Sequence, residues 1–240
     1  EMTATNADNI NITLQTGGAA AWENASISDG KTERHIIKNG ELQNVENLGE
    51  TQMTSPNTLT DFIKWSASNY PADRYELLLW NHGGGTALGF GYDEMYPDDM
   101  LSLSQIGNAL SDSGIKFDIV GFDACLMGTI ETAYMLEPYA DYLVASEEYE
   151  PGTGWYYSEW LKNLSDNTSM PTVEIGKKIV EDYINGPDSS FFDSNTLSIV
   201  DLREIPYTYS KLCETMQQEE GVLDSRYSVI SQARYNAKSF

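Results

Sequence analysis

Two cysteines and two histidines are this chain's whole stock for a thiol–imidazole pair. Cys125 stands in GFDACLMG, where the apolar run FDIVGF at residues 117–122 leads into Asp123, Ala124 and then the cysteine. His82 stands in YELLLWNHGGG at residues 75–85, directly after another apolar run. Each follows a segment that reads as a buried strand. In open α/β sheets functional side chains gather beyond the carboxyl ends of the strands. Cys213 instead lies in SKLCETM, on a helical stripe with Leu212 and Met216, and His35 sits beside a hairpin turn. Only His82 with Cys125 puts both partners at strand ends. The chemistry of such a pair is nucleophilic: imidazole takes the thiol proton and sulfur attacks a carbonyl carbon. Gly83, Gly84 and Gly85 let a substrate backbone come close. The backbone N–H groups of Gly83 and Cys125 are candidates to bind a developing oxyanion. A helix read over 127–139 places its N-terminal field just beyond the sulfur, which favours a thiolate. A lone cysteine is more often a small buried hydrophobe. Two matched strand ends, each with loop glycine, shift the balance toward chemistry.

The elements that hold these residues follow from periodicity. NINITLQTGG (9–18) reads as a strand, and TERHIIKNGELQNV (32–45) as a hairpin around Asn39-Gly40. LTDFIKWSASNY (59–70) has helical spacing and stops before Pro71. Strands are expected over 116–124, 141–147 and 195–202, and helices over 103–112 and 127–139, with more helix toward the C-terminus. This alternation points to an α/β domain with a parallel or mixed sheet covered by helices on both faces. One domain is expected over residues 1–240. The opening EMTATNADNI and closing ARYNAKSF read as cuts through a longer protein. The acidic stretch GYDEMYPDDM (91–100) is expected to bulge from the sheet edge above the site.

Composition narrows the partners. The net charge is −23, from 37 acidic and 14 basic residues. No cluster of Lys and Arg offers a nucleic-acid surface, and the acidic balance favours cationic partners. No run of about 20 apolar residues predicts a membrane span. Two cysteines make neither a disulfide framework nor, with two histidines, a structural zinc site. The dyad chemistry requires no cofactor. Calcium is the one ion left open, through Asp93, Glu94, Asp98 and Asp99, although these lack the ligand spacing of a calcium hand. The His-Gly-Gly-Gly run also suits a lipase-like hydrolase, but the chain has no Gly-x-Ser-x-Gly elbow. No carboxylate pair is singled out for a glycosidase.

LLLWNHGGG, GFDACLMGTIETAY and ASEEYEPGTGW (145–155) together resemble the clostripain family of cysteine endopeptidases. The resemblance implies a caspase-like α/β/α sandwich with a mostly parallel central sheet, and a dyad of His82 and nucleophilic Cys125. It implies a protein or peptide substrate with Arg or Lys before the scissile bond. Asp123 matches the family's acidic residue near the floor of the primary specificity pocket, and a carboxylate there suits a basic side chain. Glu147 and Thr153 fall on the pocket's flank, Thr153 where some relatives are acidic. The resemblance further implies a secreted or cell-surface bacterial protein. Some relatives are cleaved between His and Cys, but the only basic residue in that interval is Lys116, so self-cleavage there is not expected. A second class of function is a caspase-like binding domain with a vestigial dyad, using some of the 15 tyrosines and 5 tryptophans.

Overall fold

The computed structural model describes residues 2–4, 9–186 and 195–236. The ends of EMTATNADNI and ARYNAKSF, at residues 1 and 237–240, lie outside these, as do 5–8 and 187–194. Two sheets form rather than one. The first is antiparallel, in the order β1 (Ile12–Thr16), β2 (Thr32–Lys38), β3 (Glu41–Gly49). Its hairpin turns through Asn39 and Gly40, at φ +54° and +74°. Two successive positive φ values match the right-handed twist of the strands, and Asn-Gly tolerates them. The second sheet runs β4 (Glu76–Trp80), β5 (Phe117–Asp123), β6 (Ala140–Ala145), β7 (Ser198–Asp201). The first three of these are parallel, and β7 closes the sheet antiparallel to β6.

The second sheet is the floor of the site, and β5 shows why both its faces are covered. Val120 and Phe122 point into one core with Leu59 and Ile63 of α1 (Pro56–Asn69) and Ile106 and Leu110 of α2 (Leu103–Ser113). Ile119 points the other way, into a core built by Trp160 of α3 (Ser158–Asp166) and Ile175, Ile179 and Tyr183 of α4 (Thr172–Asn185). The side-chain period of two therefore needs helices on both faces. The result is an α/β/α sandwich with a mostly parallel central sheet. The start of α2 is fixed by a capping box between Ser102 and Gln105, and its end by Gly114 in the left-handed conformation. On the first face also lie α5 (Ile130–Leu136) and α6 (Ile205–Gln218).

The first sheet buries charge. Arg34 is 4% exposed at its side chain, pairs with Glu46 and Asp61, and lies over the Trp65 ring at 5.0 Å. His35 beside it is fully buried and bonds to Thr16 Oγ1 at 3.0 Å. Burial lowers its pKa, against the opposing pull of Glu33. The native state thus resists the proton that the unfolded chain takes up below about pH 6.5. Stability is accordingly expected to fall with acid below that pH, at up to about 1.4 kcal/mol per pH unit. Urea denaturation at pH 7.5 and 5.5 checks this, and His35→Gln should flatten the difference.

Candidate active site

Two parallel strands bring the candidate residues together. β4 and β5 pair with Trp80 level with Asp123, and the ladder continues one step, Asn81 N–H donating to the Asp123 carbonyl at 3.3 Å. Two residues past this pair on each strand stand His82 and Cys125. The loops touch: a Cβ on Gly83 would lie 2.0 Å from the Cys125 carbonyl oxygen. Neither Gly83 nor Cys125 donates its amide N–H to an acceptor among the described residues. His82 is exposed, with its ring edge-on to Tyr92 at 6.1 Å. The Asn81 side chain holds the Tyr92 backbone beside β4, accepting from Tyr92 N–H at 2.8 Å and donating to the Tyr92 carbonyl at 3.1 Å.

After Cys125 the chain turns sharply. Leu126 has φ +66°, uncommon for a residue with a branched side chain, and is buried. Its N–H donates to the Glu148 carbonyl at 3.0 Å, and Gly128 N–H to the Ser146 carbonyl at 2.7 Å. The segment after β6 therefore runs along residues 126–128 and keeps them out of a helix. α5 starts only at Ile130, capped by Thr129, and is seven residues long. The expected helix from 127 is thus corrected, and its N-terminal field is not what faces the sulfur. The Glu150 backbone does so: its N–H donates to Cys125 Sγ at 3.2 Å, and its carbonyl lies 3.8 Å from Sγ. Among the described residues no hydrogen bond joins Sγ to the His82 ring. Cys213 lies within the helix α6 and not at a strand end.

Asp123 is 2% exposed. Its Oδ2 accepts from Trp155 N–H at 2.9 Å and from Tyr157 Oη–H at 2.7 Å. A Cβ on Gly154, which has φ +73°, would lie 2.7 Å from that oxygen and 2.7 Å from Trp80 Nε1. A bare Cα thus stands between Asp123 and the Trp80 indole, which is 53% exposed. Thr153 is exposed in the turn closed by Gly154 N–H to the Pro151 carbonyl at 3.0 Å. Glu147 is exposed and accepts from Ser198 Oγ–H of β7 at 2.6 Å.

The residue that sequence reasoning missed is Glu150. Its Oε2 accepts from Trp155 Nε1–H at 3.1 Å, and its Oε1 is buried with no partner among the described residues. Burial first, then the charge of Asp123, raises its pKa far above the usual carboxylate range. Three glutamates crowd ASEEYEP, and spacing does not say which one turns inward.

The acidic stretch 91–100 packs against the loops that follow β1 and β3 instead of overhanging the site with free carboxylates. Asp93 is buried and accepts from the N–H groups of Met53 and Met95 at 2.8 and 2.9 Å. Glu94 accepts from Ala20 N–H at 2.6 Å, and Asp99 from Gln52 at 3.0 Å. Three of the four carboxyl groups thus accept from protein donors, Asp93 with both oxygens and Glu94 and Asp99 with one each, and Asp98 is exposed. Among the described residues no three His, Cys, Asp or Glu gather as metal ligands, and no helix is long and apolar enough to cross a membrane.

The sequence pattern of the clostripain family matches residues 1–237. Clostripain from Hathewaya histolytica is 36% identical over 128 residues, covering 46% of this chain and 24% of that protein. The fold is similar to that of a secreted C11 cysteine protease from Bacteroides thetaiotaomicron, solved with an irreversible peptide inhibitor. There the TM-score is 0.63 at 22% identity, covering 75% of this chain and 55% of that one. It is also similar to an inactive zymogen C11 protease from Parabacteroides distasonis, with TM-score 0.64 at 22% identity over 86% and 55% of the two chains. The chain thus spans about a quarter of the curated relative and about half of each solved one.

Proposed function

The chain belongs to the clostripain family, and on that footing we propose that it is a cysteine endopeptidase with Cys125 as nucleophile and His82 as its base. The observation that carries the reading is the parallel register of β4 and β5, which sets the two strand-end loops side by side. In the reaction the thiol proton passes to imidazole as Sγ bonds to the scissile carbonyl carbon. The oxyanion is met by the N–H groups of Gly83 and Cys125, and the imidazolium gives its proton to the leaving amine. Water then releases the acyl group from sulfur. The sulfur rests against the Glu150 backbone, and a turn about χ1 carries it toward the imidazole.

The scissile bond follows Arg or Lys. The Asp123 carboxyl beneath Gly154 and the net charge of −23 support a basic substrate group, with Glu147 and Thr153 on the rim. The family resemblance supports a secreted or cell-surface bacterial protein, and the Bacteroides protease of similar fold is described as secreted. Iodoacetamide at neutral pH should label Cys125 faster than Cys213 and stop cleavage of a positional-scanning peptide library that otherwise shows Arg or Lys before the cut. An inert Cys125 with no peptide cleaved would instead favour a binding domain.

A further inference from the structure

Near Cys125 lies a group of buried polar side chains with more hydrogen-bonding capacity than the described residues use. Asp123 joins it from β5, and Glu150 from the segment that holds the sulfur. Trp155 ties them together, giving its backbone N–H to Asp123 and its indole N–H to Glu150. Tyr183 of α4, 4% exposed, adds a hydroxyl with no partner among the described residues. Burial first, then the charges of Glu150, Asp123 and Cys125, raises the Tyr183 pKa, so this hydroxyl is neutral and able to donate or accept. A buried polar atom without a partner costs free energy, so Glu150 Oε1 and Tyr183 Oη are open to a further hydrogen-bond partner.

The two carboxyl groups face one another. Two carboxylates are both acceptors and repel, whereas one proton between them makes a hydrogen bond and leaves a single charge. A basic side chain can replace that proton. Before entry the pair carries −1. After entry two carboxylates and one cation again sum to −1, and the proton has gone to solvent. A neutral side chain offers no such exchange.

We propose that Glu150 is a second specificity residue, sharing one proton with Asp123 in the free protein and releasing it when a basic substrate side chain docks. The proposal rests on the basic-residue preference given above, and it assigns that preference to the pair and not to Asp123 alone. The titratable groups facing Glu150 are Asp123, Cys125 and Tyr183, with His82 at the neighbouring strand end. One released proton makes affinity for the cation rise about tenfold per pH unit while the pair holds its proton.

The test is calorimetry of N-acetyl-argininamide binding to Cys125→Ala, which removes both turnover and the thiol's own titration. Titrations in two buffers of different ionisation enthalpy count the protons. About one proton should leave per ligand at pH 7, and the dissociation constant should fall about a hundredfold between pH 6 and 8. Adding Glu150→Gln should abolish both effects while near-UV circular dichroism stays unchanged. Asp123→Asn, which also leaves one ionisable carboxyl, should do the same. N-acetyl-norleucinamide should release no proton. Binding of argininamide without proton release, or release that survives Glu150→Gln, overturns the proposal, as does absence of argininamide binding. Proton-linked binding by a wild-type protein that cleaves no peptide would sink the peptidase reading and leave this one standing.

Discussion

Cys125→Ala is expected to lower cleavage of Arg- and Lys-reporter peptides by at least about 10⁴-fold, the scale seen when a covalent nucleophile is removed. Cys213→Ala should leave cleavage within about twofold, as a surface change away from the site does. The contrast follows from position. Cys125 sits beyond a central parallel strand, in contact with the glycine loop that follows His82. Cys213 lies on α6, whose Tyr209 stacks on Tyr134 of α5 at 4.6 Å. Among the described residues the Cys125 sulfur makes hydrogen bonds only with the Glu150 backbone, so the fold should survive its removal and circular dichroism should not change. Equal activity in both variants would remove Cys125 from the reaction.

Gly83→Ala is expected to be the most damaging substitution that touches no side-chain chemistry. The new Cβ would lie 2.0 Å from the Cys125 carbonyl oxygen and 3.1 Å from its carbonyl carbon. Both are backbone atoms, so relief requires the nucleophile loop to move by an ångström or more. A shift of that size costs on the order of 100-fold in turnover, and overpacking costs about 1–3 kcal/mol of stability. Gly30→Ala is the control: Gly30 has a positive φ of +61°, which Gly83 does not, but nothing lies within 4 Å of its Cβ position. It should lose about 1 kcal/mol and no activity. Measuring kcat/KM and urea midpoints for both variants separates strain from displacement. A Gly83→Ala protein as active as Gly30→Ala would mean that the two loops are not coupled.

The elements legible from sequence were those whose cause is local. Asn39-Gly40 demands its own turn, Pro71 stops a helix, and FDIVGF is too apolar and too short for anything but a buried strand. The matched strand ends of His82 and Cys125 were visible for the same reason. What sequence did not show depends on distant partners. MGT at 127–129 reads as the start of a helix, yet carbonyls of Ser146 and Glu148 draw that stretch out of it. The separate first sheet is equally non-local, since pairing of β1 with β2 spans the long turn between Thr16 and Thr32. Glu150 was hidden among three glutamates because inward direction is set by Trp155 and Asp123, which the fold supplies.

The Glu150 backbone touches the sulfur while its side chain meets the carboxylate beneath. Leu126 is hydrogen-bonded to the same segment. On the proposed roles of Cys125 and Glu150, recognition and reaction share one piece of chain and are not separable modules. Grafting residues 147–155 from a relative with another selectivity would import a new rest for the sulfur along with the new preference. Re-specification of this scaffold is better sought by single side-chain exchanges that leave the 146–150 main chain where it is.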